Sequence, residues 1–337
     1  MLPRLITSVM CGLLVVSACL LAAQNPQNKT DPKTDPKIDT KKVDPKKEEK
    51  KVDSKKVDPK KEEKKVDPKK VDPKVAPKVE PKVEIKSPFV DKNLEDVVKK
   101  VLQHSKGELS DANLANVYVL DASGKNITDL TGLEKCPNLA ELRLSKNNIV
   151  SIAALKDLKN LQSLHLADNK IVDIAPVAGL VKLQYLELTN NQVVSIAPVA
   201  GLTALSALYL SGNKIVDLAP VAGLVKLSSL SLGRNQIVDL KPLEKVTRLT
   251  VLDLKENQIV DLTPLNKQTE LSLLMIEKNK ITDLAPLVAV CKADAMGPKR
   301  FAPYLRLYLA GNPLAEATKG PQLAELKTIG VRLEDMK

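Results

Sequence analysis

Aromatic residues are scarce in this chain of 337 residues, and their scarcity excludes some classes of function. There is no tryptophan, and only two phenylalanines and five tyrosines are present. Nucleic-acid modules that stack bases on aromatic platforms need more such side chains than this. We therefore expect no nucleic-acid partner, although the formal net charge is +11.

Residues that commonly carry chemistry are also few. The chain has two histidines, His104 and His165. The four cysteines are Cys11, Cys19, Cys136 and Cys291. No Cys/His cluster has zinc-binding spacing, no glycine-rich loop follows a strand to hold phosphate, and no nucleophile elbow occurs. The sequence therefore predicts no enzymatic activity, no metal site and no cofactor.

The positive charge is concentrated in residues 24–88, a tract rich in Lys, Asp, Glu, Pro and Val. Between 25 and 88 there are 21 lysines against 14 acidic residues, a net charge of +7. The segment KKVDPKKEEKKVD occurs at 41–53 and again at 55–67. Such a composition buries too little apolar surface to offset its ordering entropy, so we predict a disordered linker. It acts as a spacer, or it contacts anionic envelope polymers or lipids.

Residues 1–23 have the pattern of an export signal. Arg4 precedes an apolar run that extends from Leu5 to Leu21, and small residues follow. The segment from Val16 to Cys19 resembles a bacterial lipobox, in which the cysteine is lipidated. Ordinary cleavage and an uncleaved membrane anchor remain open alternatives.

From residue 117 the chain repeats every 22 residues. Each unit contains a Leu-x-Leu pair, then an asparagine, then apolar residues two, five and eight positions after it. The asparagines are Asn147, Asn169, Asn191, Asn213, Asn235, Asn257 and Asn279, and Asn312 restores the pattern in a displaced final unit. One such unit cannot bury its own apolar face, so successive units must stack and share a core.

Each Leu-x-Leu pair predicts a short strand whose leucines face the core. The asparagine marks the turn that leaves the strand. Because its amide both donates and accepts, a column of asparagines can bond buried backbone groups from turn to turn. We predict that this ladder is structural.

These motifs resemble the leucine-rich repeat of the 22-residue, internalin-like bacterial class, over residues 117–314 in about nine units. The resemblance implies an α/β repeat fold, a right-handed solenoid. A parallel β-sheet would form its concave face, and its convex side would be irregular or 3-10 helical. It also implies protein binding, generally through the concave face. Unit one departs from the pattern, with Lys125 at the asparagine position.

Both ends carry cap signals. The apolar spacing in residues 89–116 predicts two helices that close the N-terminal end of the solenoid. Asn93 should be the N-cap residue of the first helix and Ser110 that of the second. In residues 315–337, Pro321 should open a helix and Gly330 should close it, before a strand-like segment 331–333.

An insertion of 11 residues at 293–303 should bulge from the convex side. There Lys299, Arg300 and Phe301 form either a docking knob or a packed or exposed loop.

The residues between the buried leucines should point outward, because side chains alternate across a strand. We predict a protein-binding surface with Tyr185, Glu187 and Tyr209 at its centre and an apolar cluster near the C-terminal end. The candidate residues are Arg143, His165, Tyr185, Glu187, Tyr209, Asp253, Met275 and Tyr308.

The sequence thus predicts an exported module that binds an unidentified protein through its concave face. The expected location is the cell envelope, the periplasm or the outside of the cell, with or without anchoring through Cys19 or the signal segment. The alternative is a structural or adhesive envelope protein, tethered by its Lys-rich tract to anionic polymers or lipids.

Overall fold

The computed structural model describes residues 87–103 and 108–334. The predicted export signal, Cys19 and the linker up to residue 86 lie outside the described residues, as does His104.

Each repeat supplies one strand of three residues. The strands are β1 Val119–Asp121, β2 Glu141–Arg143, β3 Ser163–His165, β4 Tyr185–Glu187, β5 Ala207–Tyr209, β6 Ser229–Ser231, β7 Val251–Asp253, β8 Leu273–Met275, β9 Arg306–Tyr308 and the two-residue β10 Arg332–Leu333. They form one parallel sheet in chain order. Successive strands pair residue by residue one repeat apart, as in Leu186 with Leu208. The predicted solenoid is confirmed.

The core is the stack of leucines, isoleucines and valines that the repeat predicts. The central leucine of each of β1 to β9 is fully buried, as is each leucine that follows a strand from β2 to β7. Cys136 takes the place that Leu158, Leu180 and Leu202 fill in later turns, and it is buried without a disulfide. Burial raises the pKa of its thiol to about 12. Cys136 is therefore a small core residue rather than a reactive one.

The side opposite the sheet consists of short 3-10 turns. They span Leu133–Lys135, Ala153–Leu155, Ala175–Val177, Ala197–Val199, Ala219–Gly223, Lys241–Lys245, Thr263–Leu265 and Ala302–Tyr304. An aspartate before most turns accepts from the amide two residues on, as Asp217 Oδ1 does from Ala219 N at 2.8 Å. These aspartates fix the start of each turn, as expected of Asx-type capping.

The N-terminal cap contains α1 Lys92–Val101 and α2 Asp111–Leu114. Ser110 is the N-cap of α2, as predicted. The prediction that Asn93 caps α1 is wrong, because Asp91 Oδ1 accepts from the amides of Asn93 and Leu94 at 2.9 and 3.2 Å. Asp91 Oδ2 also accepts from Thr128 N at 2.9 Å, so one carboxylate caps the helix and attaches it to the first repeat.

The insertion at 293–303 does not simply bulge outward. The 3-10 turn of this unit is replaced by α3 Ala285–Met296, and the chain returns inward so that Phe301 is 2% exposed. Asp294 organises the return. Its carboxylate accepts from the amides of Arg300, Phe301 and Ala302 at 3.0–3.1 Å. Phe301 is therefore a core residue, whereas Lys299 and Arg300 remain exposed.

The C-terminal cap is α4 Glu316–Ile329 followed by β10, which pairs with β9. Gly330 closes α4 in the left-handed conformation, as predicted. Pro321 does not open it. The helix starts one turn earlier, where the amides of Thr318 and Lys319 donate to Ala315 O at 3.0 and 2.9 Å, and Pro321 lies inside it.

Candidate functional site

The candidate site is the outward face of the sheet, where each strand presents its first and third residues. In β4 these are Tyr185 and Glu187, on either side of the buried Leu186. The pairing places Glu187 between His165 of β3 and Tyr209 of β5. Tyr185 lies in the other column, between Ser163 and Ala207.

Three rings form a continuous row across strands β3 to β5. The His165 and Tyr185 ring centroids are 4.4 Å apart, and their planes are inclined by 30°. The Tyr185 and Tyr209 centroids are 5.3 Å apart, with an inclination of 41°. These spacings are those of favourable aromatic pairs. The arrangement holds Tyr185 at the centre of the predicted site, in contact with a ring on each side.

A polar chain runs beside the rings. Glu187 Oε2 lies 3.2 Å from His165 Nδ1, and Ser163 Oγ lies 3.0 Å from His165 Nε2. In the neutral imidazole, Glu187 favours the Nδ1–H tautomer, which leaves Nε2 to accept from the serine hydroxyl. A catalytic serine would also need oxyanion donors, but the Ser163 amide already donates to Ala140 O at 3.1 Å. These two contacts fix the orientation of the His165 imidazole on the outward face.

Burial is the main reason that the pKa of Tyr185 lies well above its ordinary value, and the Glu187 carboxylate adds to the shift. The hydroxyl therefore stays protonated at neutral pH, and the Glu187 carboxylate is its main charged neighbour. Tyr185, Glu187 and His165 thus form one connected group.

Arg143 adjoins this group, since it pairs in register with His165. Its Nε donates to Glu141 Oε1 at 2.6 Å within β2, and its side chain is about half exposed. Arg143 thus lies beside the group as predicted, but its charge is paired with Glu141, which the sequence analysis did not select.

Asp253 was expected on the binding surface but is only 5% exposed. Its Oδ2 accepts from Ser231 Oγ at 3.0 Å and from Ser211 Oγ at 3.4 Å, and it lies 3.8 Å from Lys255 Nζ. The structure thus separates Asp253 from the aromatic group and places it in a serine cluster. Gly233, whose added Cβ would contact the Asp253 carboxylate, makes room for this cluster.

The C-terminal end of the face is more polar than the predicted apolar cluster. Met275 pairs in register with Tyr308, and Leu273 pairs with Arg306. Arg306 Nη2 donates to the Tyr308 hydroxyl at 2.9 Å, and Arg306 Nε donates to Glu334 Oε1 at 2.8 Å. Sequence reasoning missed Glu334 because nothing in the repeat indicates what the cap places beside the last strands.

Each ladder asparagine bonds to two turns. Asn213 Nδ2 donates to Leu210 O in its own turn and to Leu188 O in the preceding turn, both at 2.9 Å. Its Oδ1 accepts from Val193 N at 2.9 Å. The same donor bonds recur from Asn147 to Asn279 and again at Asn312. This column lies behind the outward face, and its side chains are bonded to the backbone of the turns.

A second column borders the face, immediately before the asparagines, and sequence reasoning missed it. Every residue in this column has a left-handed backbone, with φ between 52° and 77°. The members are Gly124, Lys146, Asp168, Asn190, Gly212, Arg234, Glu256, Lys278 and Gly311. The three glycines at the same repeat position were the available signal.

Comparison with known proteins agrees with this architecture. The family model for leucine-rich repeats matches residues 137–193, 160–215 and 181–237. The solved structure of internalin C2 from Listeria monocytogenes is 34% identical, and the match covers 60% of this chain and 91% of that chain, with a TM-score of 0.58. The chain belongs to the leucine-rich repeat family. It is similar to the internalins.

The solved structure of internalin F, also from Listeria monocytogenes, is 24% identical to this leucine-rich repeat protein. That match covers 74% of this chain and 90% of that chain, with a TM-score of 0.47. A search of curated proteins gave no match. The repeats and the internalin C2 likeness support a module for protein interaction.

Two further observations bear on the site. Within residues 87–103 and 108–334, no three His, Cys, Asp or Glu side chains are grouped so that they could hold a metal ion. In the same part of the chain, every helix is too short or too polar to cross a membrane.

Proposed function

We propose that this leucine-rich repeat protein is exported and binds another protein through its concave face at the cell envelope. The observation that carries the proposal is the row of His165, Tyr185 and Tyr209 rings beside the Glu187 carboxylate. Tyrosine is enriched among the residues that dominate binding energy at interfaces. Rings held on paired strands lose little conformational entropy on binding, so their contacts contribute more to affinity than those of flexible lysines.

The charges around the rings indicate the chemistry of the partner. Asp121, Glu141 and Glu187 lie on β1, β2 and β4, and Arg143 is the cation among them, already paired with Glu141. This part of the face is therefore net acidic, although the whole chain is basic. A cationic side chain of the partner would find both a carboxylate and tyrosine rings here. We propose a partner with an exposed arginine or lysine.

Immobilised protein incubated with cell-envelope extract tests this function. Tyr185→Ala and Tyr209→Ala should each weaken retention of a specific envelope protein by more than about 1 kcal/mol, or roughly fivefold. Lys182→Ala and Lys226→Ala are matched controls outside the strands and should leave retention unchanged. Equal retention by all four variants would place the binding surface elsewhere.

The cellular location is part of the proposal and depends on residues 1–23. Acylation of Cys19 is the specific form that we propose. One lipid chain gives marginal anchoring, so further chains or the basic tract would have to contribute. Radiolabelled palmitate should be incorporated into the native chain and not into Cys19→Ser. Unchanged membrane partitioning of that variant would contradict the hypothesis.

A second candidate function is adhesion by the Lys-rich tract, which the net charge of +7 over residues 25–88 favours. Here the solenoid would add bulk and the tract would bind anionic polymers or lipids. Deletion of 25–88 should abolish retention on isolated envelope if the tract is the adhesive element. Retention that survives the deletion but is lost in Tyr185→Ala would favour the concave face.

A further inference from the structure

A column of exposed valines runs along the flank of the solenoid, between the asparagine ladder and the 3-10 turns. One valine occurs three residues after each ladder asparagine in six consecutive turns, and each is 50–58% exposed. The valine column consists of Val150, Val172, Val194, Val216, Val238 and Val260. Successive turns place these side chains about 4.8 Å apart, so they form one continuous apolar stripe.

The fold does not require valine at these positions. The turns that flank the column carry Thr128 and Thr282 at the equivalent position. Threonine has the same branched shape and the same preference for an extended backbone, but it presents a hydroxyl to water. The six valines therefore expose apolar surface where the fold accepts a polar isostere. Exposed stripes of this kind mark interaction surfaces.

The valine column has a polar column on each side, and the two differ in chemistry. The first polar column lies one position after each asparagine and contains lysines and amide side chains. Its members are Asn148, Lys170, Gln192, Lys214, Gln236, Gln258 and Lys280. The second polar column lies four positions after each asparagine and contains aspartates and serines, which accept hydrogen bonds. Its members are Ser151, Asp173, Ser195, Asp217, Asp239, Asp261 and Asp283. Each turn that carries a lysine on one side carries an aspartate on the other.

We propose that the valine column is a dimer interface, occupied by the same column of a second copy of this chain. A two-fold axis parallel to the stacking direction of the turns would place each valine opposite its own counterpart. The same axis exchanges the two flanking columns, so Lys170 faces Asp173 of the second copy and Lys214 faces Asp217 of the second copy. Lys280 and Asp283, one turn beyond the last valine, would pair in the same way, and the other turns pair an amide with a carboxylate or a hydroxyl.

The other two-fold arrangement is unfavourable. An axis perpendicular to the stripe would set the lysine column against itself and the aspartate column against itself. Like charges placed opposite each other at an interface cost free energy and exclude wrong pairings. Charge complementarity therefore selects the parallel arrangement.

The size of the stripe fits a specific but modest interface. An apolar patch of about 300–600 Å² is the largest on a typical monomer, and six half-exposed valines fall in that range. A specific complex of standard size buries roughly 800 Å² on each partner, so both polar columns would have to contribute to the interface.

Sedimentation equilibrium of the full-length chain tests the interface. We expect a reversible dimer that Val194→Thr/Val216→Thr weakens by about tenfold or more, because four methyl groups are lost across the two copies. Threonine occupies the equivalent position in both flanking turns, so the variant should fold normally. Val181→Thr/Val225→Thr, which changes exposed valines outside the column, is the matched control and should dimerise like the parent. A parent that stays monomeric up to about 100 μM, or a dimer unchanged by the column variant, overturns the proposal.

Disulfide trapping tests the orientation. Val172→Cys and Val238→Cys, introduced separately, should each form a disulfide with the same position of the second copy. The two native cysteines of the described part, Cys136 and Cys291, are buried and should not compete. Mass spectrometry of a mixed sample would identify the linked peptides. Exclusive linkage of position 172 to position 238 would require the perpendicular axis and contradict the charge pairing.

Discussion

Arg234 reaches over a complete turn of the solenoid to bond Asn190, since its Nη2 donates to Asn190 Oδ1 at 2.8 Å although 44 residues separate the two. The turn between them carries Gly212 at the equivalent position, with a left-handed φ of 71°. Asn190 also donates to Asp168 Oδ1 at 2.7 Å. Because Gly212 has no side chain, Asp168, Asn190 and Arg234 form one polar network that extends over four successive turns at the border of the concave face.

Gly212→Ala should destabilise the protein by about 1–2 kcal/mol. An alanine there adopts a left-handed backbone at a cost of that order, and its Cβ would collide with the Asn190 side chain. Gly201→Ala is the matched control, because nothing lies within 4 Å of the added Cβ and the backbone is not left-handed. It should be neutral or stabilise by up to about 1 kcal/mol. Urea midpoints of the two variants measure the difference, and equal midpoints would contradict the strain argument.

Asn213→Ala should cost at least about 1–3 kcal/mol of unfolding free energy. The substitution removes the bond of the buried Val193 N, and it takes one of two asparagine donors from Leu188 O and from Leu210 O. Gln192→Ala, an exposed position in the same region, should change stability by less than about 0.5 kcal/mol. Chemical denaturation of both variants checks the prediction. If Asn213→Ala resembles Gln192→Ala, water must replace the ladder at little cost.

Asp294→Asn should destabilise the C-terminal end at neutral pH and lose its effect in acid. Three backbone amides hold the pKa of Asp294 below its ordinary value of 3.8, although burial opposes the shift. The folded state therefore binds fewer protons than the unfolded state in this range. Its contribution to stability is complete above the unfolded pKa and disappears as the pH falls through the lowered folded pKa.

At pH 7 the cost should be about 1.5–3 kcal/mol, the range for hydrogen bonds to a charged group. Unfolding free energies measured at pH 7 and near pH 2 should show the gap between parent and Asp294→Asn closing. Asp157→Asn, at an exposed carboxylate, should show almost no gap at either pH. A gap that does not change with pH would mean that the carboxylate charge is not what holds residues 300–302.

The repeat spacing was sufficient to predict the fold because each strand and each buried leucine is determined within its own turn. The repeat spacing could not predict how deeply an individual side chain on the outward face is buried, or how the chain folds outside the repeat. Asp253 and Glu187 occupy the same column, yet Asp253 is buried because small residues at 211, 231 and 233 surround it. Phe301 lies in an insertion, where no periodicity indicates which way the chain returns.

Tyr185 should contribute to both stability and binding, which complicates the simplest test of the site. Its position on the outward face alone would predict that truncating the Tyr185 side chain leaves stability unchanged. In the structure, however, the side chain is half-buried and contacts the rings of His165 and Tyr209. Tyr185→Ala should therefore lower the unfolding free energy by about 1 kcal/mol, the value of aromatic pairs beyond their burial. Weaker partner binding by Tyr185→Ala could therefore have two causes, which are disruption of the surrounding surface and loss of the direct contact with Tyr185.

Tyr185→Phe separates the two effects, because it keeps the ring and removes only the hydroxyl that interacts with Glu187. Its thermal midpoint should stay within about 2 °C of the parent, the equivalent of about 0.5–1 kcal/mol for a domain of this size. If the partner recognises the ring, Tyr185→Phe should bind like the parent and Tyr185→Ala should not. If it recognises the hydroxyl and carboxylate together, Tyr185→Phe should lose affinity as Glu187→Gln does. Binding by Tyr185→Ala that matches the parent, after correction for the folded fraction, would exclude Tyr185 from the interface and leave the Met275 and Tyr308 end of the face as the next surface to test.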